Sequence, residues 1–134
     1  MDEVFLYILC RQDIGSMANI AGLLAAQSCH AANQCTYEGF HRGNQDVVYL
    51  LHEWQKQTGK GFGTTITLAV DGLSLQRLIL LAKFSGLHAG ITHDPTFPVR
   101  DGEVTHLVPV DTCGYVLGRK GDCADIVGGL QLVG

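Results

Sequence analysis

The sequence predicts an α/β fold built on a layered sheet that is at least partly parallel. Val4 to Cys10 (VFLYILC) is a continuous apolar run of strand length, the pattern of a strand buried on both faces. Phe62 to Val70 (FGTTITLAV) is a second strand, alternating and rich in Thr, Ile and Val. Stretches of helical periodicity separate these from further strand-like runs, and strands alternating with helices pack as a layered α/β sheet.

Each element has a local reason. Arg11-Gln12-Asp13 closes the first strand with polar residues, and the loop from Gly15 to Asn19 offers Ser16 or Asn19 as a helix cap. Ile20 to about Thr36 is rich in Ala and Leu, so its helix propensity is high. Gly39 to Gly43 reads as a break. Asn44 then caps a second helix through about Gln57, with Val47, Val48, Leu51 and Trp54 at helical spacing. Gly59-Lys60-Gly61 is a hinge before the second strand. After the Asp71-Gly72 turn, Leu73 to Ala82 marks a third helix that Gly86 stops. His88 to His93 is a short third strand, and Asp94 to Pro98 a loop constrained by two prolines. Val104 to Val110 is a fourth strand, which Pro109 ends or places at an edge. Asp111 to Gly121 reads as irregular. A short helix follows from Asp122 to Val127, and LQLV is a strand-like tail.

The chain has 134 residues, which suits a single domain. Apolar residues make up 46% and charged residues 16%, enough for a core and too little charge for disorder. The acidic start MDEVFLYILC reads as a first strand rather than a signal peptide. No apolar run is long enough for a bilayer, so no membrane partner is expected. Five cysteines without a C-x-x-C pair read as free thiols of a reduced, cytoplasmic protein. The net charge of −4 argues against a generic nucleic-acid binder but leaves room for a local basic patch.

Several chemistries lack their motif. Gly59-Lys60-Gly61-Phe62-Gly63 contains G-x-G-x-G, yet it precedes a strand, whereas a phosphate cradle needs a helix N-terminus behind the loop. There is no G-x-S-x-G elbow and no H-E-x-x-H. No metal or cofactor is expected, although His88, His93 and His106 could converge on neighbouring strands. Two constellations remain. Leu23, Gln27 and His30 share one helical face, where the two polar groups either satisfy buried backbone or line a cleft. Asp94 follows a strand end, with Thr96 two residues on and Thr105 in the next strand. A carboxylate and two hydroxyls can orient a water and stabilise an oxyanion, or Asp94 and Thr96 can simply form an Asx turn.

These residues carry a resemblance. The stretch Ala25-Ala26-Gln27-Ser28-Cys29-His30-Ala31-Ala32 is close to the AAQCSHAA helix signature of the archaeal and eukaryotic (type II) peptidyl-tRNA hydrolases. Around it, in the family's order, stand Arg11 to Ile14, Trp54, the TTITLAV strand, the Asp94 loop, Gly102-Glu103-Val104-Thr105 for G-x-x-T, and Val127 to Leu132 for the V-T-G-x-L-K-L tail. The resemblance spans nearly the whole chain. It implies a mixed four-stranded sheet with helices on both faces in one three-layer domain, a homodimer, and metal-free cleavage of the ester between peptide and tRNA. Carried over, Asp94, Thr96 and Thr105 are the catalytic residues, with Gln27 and His30 standing behind them.

The chain also departs from that family. The family's lysine-rich stretch before the helix signature is lysine-free here, and Leu23 takes the place of its active-site lysine. D-A-G-x-T becomes Asp94-Pro95-Thr96, and Cys113 to Lys120 reads as an insertion. Leucine can neither hold a phosphate nor stabilise an oxyanion, and losing such a contact costs about 10²–10³ in rate. Arg11, Lys60 and Arg100 are the candidate substitutes for binding substrate, with Arg100 favoured for its place beside the Asp94 loop. The alternatives are a non-catalytic tRNA- or protein-binding relative and a hydrolase of another acyl ester.

Overall fold

The computed structural model describes residues 2–15 and 20–133. The order of elements is β1 (Val4–Arg11), α1 (Ala21–Arg42), α2 (Gln45–Gln57), β2 (Thr64–Val70), α3 (Gly72–Phe84), β3 (His88–Asp101), β4 (Val104–Arg119) and α4 (Lys120–Val127). The four strands form one sheet in the order β2-β1-β4-β3. β1 and β2 are parallel, while β4 runs antiparallel to both β1 and β3. The sheet is therefore mixed, as the resemblance implied.

Strand alternation sends β1 side chains to two separate cores. Val4, Leu6, Ile8 and Cys10 pack with Ala31, Cys35, Leu51 and Trp54 of α1 and α2. Tyr7 and Leu9 pack with Leu75, Ile79, Cys123 and Ile126 of α3 and α4. This is why VFLYILC has no polar face. Each fully buried large apolar side chain contributes about 1.5–3 kcal/mol relative to exposure. Among the described residues no helix is long and apolar enough to cross a membrane.

β1, α2, β2 and α3 follow their sequence signals closely. The Asn44 side chain accepts from the Val47 amide and caps α2. Asp71 caps α3 in the same way through Ser74. The proposed caps Ser16 and Asn19 lie outside the described residues. The strand-like tail pairs with the β2 edge, where Leu132 bridges Leu68 and the Gln131 carbonyl accepts from Ala69.

Three expectations are corrected. First, α1 does not stop near Thr36 but runs to Arg42, through the supposed break. Gly39 is buried in the last turn of α1, where Leu51 and His88 occupy the space a Cβ would need. Second, Asp94 to Pro98 is no loop. It belongs to β3, which runs 14 residues with register shifts at Thr92/His93 and Asp94/Phe97. The second bulge accommodates Pro95, with Pro109 opposite it, while Pro98 pairs with Leu107 on the edge strand β3. Third, the stretch from Asp111, read as irregular and partly inserted, is the second half of β4, and Thr112 to Gly118 are buried at the centre of the sheet. Gly114 is required there because Leu75 and Ile79 of α3 press on its backbone. Beyond Cys113 toward Val104, β4 pairs with β3 alone, so the hairpin projects as a two-stranded ribbon.

Candidate active site

At the C-terminal end of β1 the start of α1 meets the root of that ribbon. Gln27 on α1 is buried and its amide nitrogen donates to Asp94 Oδ2 at 2.7 Å. The Gln27 carbonyl oxygen accepts from the Thr112 hydroxyl at 2.6 Å. Asp94 Oδ1 accepts from the Thr96 amide at 2.9 Å, and the Thr96 hydroxyl lies 3.5 Å away. The Asx turn between Asp94 and Thr96 is thus real, and it is one end of a longer chain of hydrogen bonds.

A β-bulge makes this chain possible. Thr92 pairs with Cys113 and His93 with Asp111, which leaves Thr112 as the extra residue on β4. Consecutive strand residues normally point to opposite faces. Here Thr112 reaches Gln27 while Cys113 also faces the α1 core. The bulge has turned one side chain toward the site.

The network fixes the charge state of Asp94. Burial works to raise its carboxyl, but the Thr96 amide, the Gln27 amide and the nearby His30 charge outweigh that, so it sits below the usual carboxylate range. An ionised carboxylate with free lone pairs can orient a water; a depressed pKa makes it a weak proton acceptor near neutrality. His30 is exposed and acts on Asp94 through charge, with no hydrogen bond among the described residues.

A small recess opens beside this network, with a free volume of about 10 Å³, room for one water. Arg11, Leu23, Leu24, Gln27, Phe97 and Thr112 are among its walls. Leu23, where the resemblance expects a lysine, is one of its apolar walls. Arg11 is its cation: Nε donates to Asp13 at 2.8 Å and Nη1 to the Asp111 carbonyl at 3.2 Å. The Arg11 guanidinium, foremost, holds the Asp13 carboxyl below the usual range.

No protein-family model matches this chain, and no curated protein matches it.

The structure thus brings together Asp94, Thr96, Gln27 and, at the rim, Arg11 and His30. It places the other sequence candidates elsewhere. Thr105 faces Arg100 near the ribbon tip, whereas Asp94 faces Val110, so Thr105 stands about 17 Å farther along at ~3.3 Å per residue. Arg100 is carried outward with it, because the segment is strand and does not fold back; its Nε donates to the Gly102 carbonyl. Lys60 lies in the turn before β2, beside the N-terminal end of the parallel β1, about 25 Å from the site at ~3.3 Å per residue. The three histidines do not converge: His88 meets the Cys35 carbonyl, His93 the Asp111 carboxylate and His106 Asp101. Among the described residues no cluster suits a metal ion.

Thr112 is the site residue that sequence reasoning missed. Its signal was the strand-length run from Thr112 to Gly118 with no charged residue, masked by two glycines. Replacing Thr112 by Val keeps the shape and removes the hydroxyl. It leaves the Gln27 carbonyl oxygen buried without its donor, which costs about 1–3 kcal/mol. Urea unfolding of Thr112→Val against Thr105→Val checks this, the second variant being expected within ~0.5 kcal/mol of the parent.

Proposed function

We propose that this chain hydrolyses the ester bond of peptidyl-tRNA and other N-substituted aminoacyl-tRNAs, releasing peptide and free tRNA. The observation that carries the reading is the continuous hydrogen-bond chain Thr112–Gln27–Asp94–Thr96, in which the central glutamine of the helix signature holds Asp94 at the bulge of β3. The mixed sheet with helices on both faces, which that resemblance implies, supports it too.

The chemistry follows from the geometry. A water hydrogen-bonded to the remaining lone pairs of Asp94 is aimed at the ester carbonyl carbon. Its oxygen forms the new C–O bond, the carbonyl oxygen takes negative charge, and collapse breaks the ester bond to the 3′ oxygen of the tRNA, which takes up the proton that the attacking water gives up. Asp94 stabilises the positive charge that develops on the attacking water. Arg11 is the cation at hand for the developing oxyanion or the neighbouring phosphate, in place of the missing lysine. On this reading the protein works in the cytoplasm, in translation, as a homodimer.

The test is release of N-acetylated amino acid from N-acetylaminoacyl-tRNA by the purified chain. Release above the spontaneous rate is expected. One observation favours a second reading, a tRNA-binding relative without turnover: Leu23 puts hydrocarbon where the resemblance calls for a cation. That reading gives tRNA binding that weakens steeply with salt and no release. Release from simple acyl esters but not from tRNA would point to another acyl substrate.

A further inference from the structure

β1 and β4 each bring one thiol to the floor of the recess. Cys10 and Cys113 are directly opposite in the antiparallel register, and both are buried. Their sulfurs lie 3.8 Å apart. Directly opposite residues of an antiparallel pair have Cα atoms about 4.5–5.5 Å apart. That interval falls within the roughly 4.4–6.8 Å that disulfides span. Side-chain rotation and a small strand adjustment can therefore close the gap to ~2.05 Å.

The ordinary reading of a buried cysteine is a small hydrophobe. It suits Cys35 and Cys123, which make no hydrogen bond to another thiol among the described residues and whose thiols burial pushes up, Cys123 to about 11. It does not account for two thiols in register with a hydroxyl beside them: Ser28 Oγ stands 3.5 Å from Cys10 Sγ. The hydrogen bond from Cys113, with help from Ser28, lowers the Cys10 thiol against the opposing effect of burial. Cys113, the donor, keeps its proton.

We propose that Cys10 and Cys113 form a redox site, closed to an intramolecular disulfide by a hydroperoxide and reopened by a thiol reductant. The Cys10 thiolate attacks one peroxide oxygen, the O–O bond breaks, and Cys10 becomes a sulfenic acid. Cys113 then attacks that sulfur, forming the S–S bond and expelling water. Two thiols lose two electrons and two protons, and hydrogen peroxide is reduced to two waters. Thr112 adjoins Cys113 and Ser28 adjoins Gln27, so closure pulls directly on the chain that holds Asp94. The disulfide itself is independent of the function proposed above.

The experiment uses the full chain with Cys29→Ser, which removes the exposed thiol and with it intermolecular pairing. The protein is treated with hydrogen peroxide, unfolded, alkylated and mapped by mass spectrometry without reduction. The expected result is loss of two alkylatable thiols and a cross-linked peptide pair joining Cys10 to Cys113, both reversed by dithiothreitol. Unchanged thiols, sulfinic acid without a link, or a link to Cys35 or Cys123 would overturn the proposal. Cys113→Ser should abolish the link; if that variant does not fold, the Cys29→Ser map still decides.

Discussion

Asp94→Asn is expected to slow release from N-acetylaminoacyl-tRNA by about 10²–10³ while the protein stays folded, the size of effect seen when one stabilising contact to a transition state is lost. The substitution is well matched to the site. Asparagine can still accept from the Thr96 amide. Its new NH₂ group would face the NH₂ of Gln27, so Gln27 turns over and accepts instead. The Thr112 hydroxyl is a free rotor and reverses with it. The hydrogen-bond chain survives and only the negative charge is gone. A loss of rate with unchanged KM therefore reports the charge at the reacting water. A rate within twofold of the parent would remove Asp94 from the chemistry. The stability difference should depend on pH in one direction. The Asp94 carboxyl is held below its ordinary value in the fold, so its contribution is complete above the unfolded pKa, about 4, and fades as pH falls through the folded value. Parent and variant should converge in acid and separate toward neutrality.

Phe97→Ala is expected to cost about 3–5 kcal/mol, the range for truncating a buried aromatic. Phe97 is 1% exposed on a ribbon that leaves Val104 and Leu107 open to solvent. It lies against the recess formed by Leu23, Leu24 and Arg11. It is the anchor that presses the ribbon onto the start of α1, next in the chain to Thr96, whose amide grips Asp94. A fall in urea midpoint at constant slope would show that the ribbon belongs to the cooperative unit. A loss below ~1 kcal/mol would show that the ribbon opens on its own before the sheet does.

What could be read from the sequence sorts by the range of the forces involved. Local signals were sufficient for β1, α2, β2 and α3, where periodicity and caps act within a few residues. Gln27 and Asp94 were identified separately, but no pattern shows that 67 residues of separation close to 2.7 Å. The errors fall on glycines and prolines. Gly39 and Gly114 read as breakers because only the folded structure supplies Leu51, Leu75 and Ile79 as the neighbours that require them. Pro95 and Pro98 read as loop residues, and Pro109 as a strand end or edge, because the bulge between Pro95 and Pro109 and the edge position of Pro98 are properties of strands together. Thr112 was missed for the same reason: which hydroxyl meets Gln27 depends on a one-residue slip in register.

The tail that pairs with β2 has a consequence for crowded solutions. A sheet with two bare edges is bifunctional and can grow without limit, strand upon strand. Here Gln131 to Val133 pair with the middle of β2, while the outer edge of β3 and the β4 side of the ribbon stay open among the described residues. The β3 edge is itself interrupted by Pro95 and Pro98, which have no N–H to offer. The tail therefore blocks strand addition along the part of β2 that it covers, and edge-to-edge growth is directed to the β3 end of the sheet.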